Sequence, residues 1–74
     1  MTTFEKLKKE VEMVKKGSVE PRYQLYRLYG KAQMARELDA ITLDEFMKLN
    51  HEIVAQGINN PKYFRGDDND GLFS

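Results

Sequence analysis

The sequence predicts an all-α three-helix bundle. Two observations carry most of that expectation. Thr2 and Glu5, and again Thr42 and Glu45, have the spacing of a capping box, in which two side chains satisfy free amides of a first helical turn. Apolar residues then recur at helical rather than strand spacing in three segments separated by short breaks. The predicted helices cover about 3–16, 21–38 and 43–56, and an irregular tail follows.

The first helix opens at the Thr2–Glu5 box. Phe4, Leu7, Val11 and Val14 recur at heptad spacing and make one narrow stripe on a segment otherwise rich in Lys and Glu. Such a stripe suits a peripheral helix touching its neighbours along one line. Gly17 is the residue expected to end it in a left-handed conformation.

Pro21 opens the second helix, since the first helical position needs no N–H. Glu20 is pushed away from helical angles by the proline that follows it. At about 100° per residue, Leu25, Leu28, Ala32 and Ala35 share one face, while Tyr23, Met34 and Leu38 lie toward the opposite side. A helix apolar on two sides is expected to be central and covered from both directions. Gly30 interrupts it, which implies either a bend or the close approach of another backbone, at a cost of about 1 kcal/mol against alanine.

The third helix has the clearest start in the chain. Ile41 precedes the Thr42 cap and Phe46 is the fourth helical residue, the spacing of a hydrophobic staple. Leu43, Phe46, Met47, Leu49, Ile53 and Val54 then fill one arc, and Asp44, Glu45, Lys48 and Glu52 the other. Gly57 is expected to close the helix. Asn50 falls inside the apolar arc. It either finds a buried hydrogen-bond partner and specifies register, or sits at a wetter edge.

Residues 1–57 thus form the predicted domain and 58–74 the tail. Asn60-Pro61 reads as a turn, Tyr63 and Phe64 are placed to fold back on the bundle, and disorder is expected beyond Arg65.

Composition narrows the function classes. A chain of 74 residues holds one domain whose core is small, so a partner subunit is an obvious source of further stability. Disulfides are excluded, because there is no cysteine, and a zinc site is implausible with one histidine and no thiolate. No apolar run approaches the roughly 20 residues needed to span a bilayer. The expectation is a cytoplasmic protein with no membrane association and no cofactor.

Net charge is zero but uneven. Residues 1–36 carry nine Lys or Arg against four Glu, and residues 37–74 carry three against eight Asp or Glu. That polarity favours attraction between halves, attraction between subunits, or steering of a nucleic acid to the basic half.

Residues that carry chemistry are few. The stretch "GDDNDG", 66–71, fails the calcium-loop pattern: with Gly71 at position 6, Gly66 occupies a ligand position and the closing Glu lies past the last residue. His51 has no nucleophile near it in sequence and makes no catalytic constellation. The chain is therefore read as not an enzyme, with no metal.

Arg22, Arg27, Lys31 and Arg36 are interleaved with Tyr23, Tyr26 and Tyr29, which invites a nucleic-acid reading. By helical angle, however, Arg27 and Lys31 point away from Arg22 and Arg36, so there is no single basic stripe. The patch Arg22, Tyr26, Tyr29, Gln33 and Arg36 is instead the candidate interaction surface, because Tyr and Arg are enriched at protein interface hot spots. The expected partners are another protein or a second copy, as in a homodimer. Nucleic acid bound by the basic half is the alternative.

The stretch "ARELDAITLDEF", 35–46, resembles the hairpin of short oligomerisation domains of the SHOCT type, which usually carry Gly where this chain has Asp39 or Ala40. In size and style the whole chain resembles small uncharacterised helical proteins of Gram-positive prophages. That resemblance implies an accessory or regulatory protein acting by binding.

Overall fold

Two of the helix starts are built the same way. Thr2 Oγ1 accepts from the Glu5 amide at 3.1 Å while the Thr2 amide donates to Glu5 Oε1 at 3.0 Å. Thr42 and Glu45 repeat the exchange at 3.1 and 2.9 Å. Each box satisfies amides that have no partner inside the helix. In the computed structural model, which describes residues 1–64, α1 spans Thr3–Gly17, α2 Pro21–Glu37 and α3 Leu43–Asn50. Without a break, α3 continues into a π-helical segment, His51–Ile58, and a 3₁₀ turn follows at Pro61–Tyr63.

The described residues form a three-helix bundle, as the periodicity predicts. Its core is Leu7 and Val11 of α1, Leu25, Leu28, Ala32 and Ala35 of α2, Ile41 at the corner, and Leu49, Ile53 and Ile58 of the third helix. Phe4, Val14, Tyr29, Phe46 and Val54 pack at its margin. No polar or charged residue is buried among the described residues. The narrow stripe of α1 and the staple pair Ile41 and Phe46 thus meet the core as expected.

Four local expectations are corrected. Gly17 does not take a left-handed conformation; Ser18, extended at φ −76°, caps α1 and returns its amide to the Val14 carbonyl. The left-handed residue of this fold is Asp39, at φ 58°. It ends α2 in a Schellman motif: the Ala40 amide reaches the Ala35 carbonyl at 2.8 Å and the Asp39 amide that of Arg36 at 3.1 Å. Asp is one of the few non-glycine residues that visit this region readily.

Second, no other backbone among the described residues comes close at Gly30, and α2 remains one helix, as expected. The α2 hydrogen-bonded run passes through it, and a Cβ placed there would meet nothing within 4 Å. Third, Gly57 does not close the third helix; that helix runs on to Ile58. Ile53 and Ile58 are both buried although five residues apart. At 3.6 residues per turn they would diverge by about 140°. The i→i+5 winding of a π-helix brings them to one side. The Asn59 amide still bonds the Val54 carbonyl, five residues back, at 2.9 Å.

The same winding presses Gly57 onto α2. A Cβ there would lie 2.8 Å from Leu25 Cδ1 and 3.1 Å from the Glu52 carbonyl, so glycine is what the space admits. Consequently the packed bundle reaches past the boundary expected at 57. Asn60 Oδ1 accepts from the Lys62 amide to set the 3₁₀ turn, and Tyr63 is buried. The fold-back of Tyr63 and Phe64 is as expected. The disorder expected beyond Arg65, and the sequence at 66–71, lie outside the described residues.

Fourth, α2 is not covered from both directions. Leu25 and Ala32 have no exposed surface, whereas Tyr23, Met34 and Leu38 on the far side are 59, 55 and 70% exposed. Both neighbouring helices lie against the first face. This is the finding that shapes the candidate site.

Candidate interaction surface

The five residues expected to form an interaction patch divide into two groups. Arg22 is half-buried and serves the fold. Its Nε donates to the Ile58 carbonyl at 3.1 Å, and its guanidinium stacks over the Phe64 ring at 4.6 Å. It thereby ties the end of the π segment and the following turn to the start of α2. Arg36 braces the opposite end. Its guanidinium donates to Asp39 Oδ1 at 2.9 Å and to the Ile41 carbonyl at 3.4 Å, across the Schellman turn. Tyr29 packs against the core margin. Of the five, only Tyr26 and Gln33 present themselves openly to solvent. The five residues of the expected patch thus divide: two arginines brace the fold, Tyr29 packs at the core margin, and Tyr26 and Gln33 are exposed.

The open surface lies a little further round α2. Taking Gly30 as its centre, Tyr23, Tyr26, Arg27, Gln33, Met34 and Glu37 fall within about 60° of it by helical angle. All are exposed. Tyr23, Tyr26 and Met34 are each more than half accessible, which is a notable apolar concentration for a helix of 17 residues. Leu38 extends it at the C-terminal end. Among the described residues Arg27 and Glu37 form no ion pair, unlike Lys31, which reaches Glu10 of α1 at 3.4 Å.

A concave feature lies between α1 and α3. It is a groove of about 530 Å³ with Phe4, Val11, Met47 and Leu49 on its apolar floor. Its rim alternates in sign, with Lys8 and Lys48 facing Glu12, Asp44 and Glu52. Lys15 closes its lower end through Glu52 at 3.1 Å. His51 stands at the same rim, exposed, with Gln56 Nε2 at 3.4 Å from its ring. Among the described residues no three His, Cys, Asp or Glu side chains gather as a metal site would require, and no helix is long and apolar enough to cross a membrane.

Asn50 resolves toward its wetter alternative. It is half-buried at the point where α3 passes into the π segment, and no buried side-chain nitrogen or oxygen among the described residues lacks a partner.

The fold and its exposed helix face define the chain as a small all-α three-helix bundle with one helix left open on its outer side. Compared with known proteins, the chain matches no family model, no curated protein and no solved structure.

Proposed function

We propose that this chain is a small interaction or regulatory protein that acts by binding protein through the outer face of α2. Its sequence resemblance adds an accessory role in a phage or prophage to that proposal, and its lack of cysteine and of a long apolar run adds a cytoplasmic setting. One observation carries the reading. Tyr23, Tyr26 and Met34 line the open side of a helix whose other side already satisfies the core, so no packing need accounts for them. Tyrosine with nearby arginine is the composition of protein hot spots, and an exposed apolar patch on so small a domain favours a protein partner.

The nucleic-acid alternative has less support. Of the four basic residues of α2, Arg22 and Arg36 are committed to backbone carbonyls and Lys31 to a carboxylate. What remains on that helix is Arg27, which is not the stripe a phosphate backbone calls for. A gel shift at low salt that fades steeply as salt rises would restore that alternative.

The binding role is tested by affinity capture from the native host, comparing the natural chain with the double variant Tyr23→Glu, Met34→Glu. The outer face tolerates both changes without loss of core packing, so the variant is expected to fold and to lose the captured proteins. Retention of the same proteins by the folded variant overturns the proposal.

A further inference from the structure

We propose that the outer face of α2 is occupied by α2 of a second copy, antiparallel and crossing at Gly30, in a twofold-symmetric dimer. This deepens the binding role proposed above and rests on it. Three observations of different kinds lead to it.

The first is the glycine itself. Gly30 sits mid-helix, where it costs stability relative to alanine, and no neighbour among the described residues requires it, since none would stand within 4 Å of a Cβ there. A local cost with no return inside the fold marks a functional position. A glycine at a helix crossing lets a second backbone approach at the short end of helix-packing distances.

The second is self-complementarity. A twofold axis beside Gly30 sets residue 30−n of one helix near residue 30+n of the other, and each contact occurs twice. Tyr23 then faces Glu37 of the second copy, with a phenol O–H able to donate to a carboxylate that has no ion pair among the described residues. Tyr26 lies against Gln33 and Met34 of the second copy, an amide to meet its hydroxyl and a thioether to meet its ring. Every member of this set is exposed in the monomer.

The third is charge. Arg27 lies on the N-terminal half of α2 and Glu37 at its C-terminal end, both without ion pairs among the described residues. An antiparallel crossing brings Arg27 within a turn of Glu37 of the second copy, and opposes the helix dipoles. A parallel crossing sets Arg27 on Arg27 and Glu37 on Glu37. The contact is one helix face about 25 Å long, at the small end of specific interfaces.

Sedimentation equilibrium of the full chain tests the association. The natural protein is expected to dimerise through the micromolar range, and Gly30→Glu, which sets two carboxylates on the axis without touching the core, is expected to stay monomeric while its helicity is kept and its monomer stability, measured where both chains are monomeric, is not lowered. The register is read by disulfide capture, since the chain has no cysteine of its own. Gly30→Cys should cross-link to itself. Tyr23→Cys and Glu37→Cys should each fail alone and cross-link when mixed. A monomer at millimolar concentration, or a dimer indifferent to Gly30→Glu, overturns the proposal; self-linking of Tyr23→Cys overturns its antiparallel register. If the chain is monomeric yet loses its host partner through Tyr23→Glu, Met34→Glu, the second copy is the wrong occupant and the binding role stands. If both experiments fail, the binding role falls with it.

Discussion

The two sides of α2 use the same kinds of residue to opposite ends, and their two glycines make the contrast sharp. On the inner side Gly57, from the π segment, presses against Leu25, and a methyl group would collide with both Leu25 and the Glu52 carbonyl. On the outer side Gly30 faces open space. Leu25 and Ala32 have no solvent exposure, while Tyr23 and Met34 keep more than half of theirs. One side is filled to the point where a single carbon does not fit. The other is built without anything to fill it. Apolar character alone does not distinguish them; what does is how many other helices exist to cover a face, and among the described residues α2 has two such neighbours.

The contrast can be broken most violently from the inner side. Leu25→Ala should cost about 2–5 kcal/mol, because it opens a cavity between α2 and the π segment. For a domain of this size that is most of its stability, and thermal or urea unfolding by circular dichroism should show a chain largely unfolded at room temperature. Gly57→Ala is the reciprocal insult. Leu25 is fully buried and the Glu52 carbonyl is backbone, so neither yields freely, and a loss of about 1–3 kcal/mol is expected. A Gly57→Ala chain as stable as the natural one would show that the π winding relaxes to an ordinary helix at little cost.

Smaller effects sharpen the contrast from the outer side. Gly30→Ala should raise the stability of the monomer by about 1 kcal/mol, the reverse sign to Gly57→Ala, when unfolding is followed at a concentration where the chain is monomeric. The smallest expected effect is that of Met34→Gln, within about 0.5 kcal/mol in either direction, since it removes no buried contact. A larger loss in the same denaturation experiment would mean that Met34 belongs to the core after all.

The parts of this architecture that sequence made legible are those decided within a few residues. The paired capping boxes, the proline at the start of α2 and the Ile41–Phe46 staple each involve side chains no more than five positions apart, and all took their expected roles. So did the buried stripe of α2, because Leu25, Leu28, Ala32 and Ala35 share a face by angle alone. The misreadings have a common origin. Gly17 does end α1, as expected, but without the left-handed conformation its identity suggests; that conformation falls to Asp39, braced by Arg36, and Gly57 fits a neighbour in another helix. A 3.6-residue period does not place Ile58 with the core, because the stretch that carries it winds more widely. In the candidate patch, Arg22 and Arg36 share an angle with Tyr29 but spend their hydrogen bonds on the chain's own carbonyls. A simple count held the missing signal: α1 offers one stripe and α3 one arc, and the parts of both that become buried, Leu7, Val11, Leu49 and Ile53, cluster with a single face of α2.

By itself, the sequence determined three helices, where two of them begin and which residues of each turn inward, because hydrogen-bond capping and angular periodicity are local properties of the chain. The tertiary structure alone decided which of the two apolar sides of α2 is covered, how the third helix unwinds to bury Ile58, and which arginines are spent on the fold. Apart from the Arg36 brace, which reaches only to Asp39 and Ile41, those outcomes depend on contacts between residues twenty or more positions apart, where the winner is set by volume and by the number of neighbours available, and no local pattern records either.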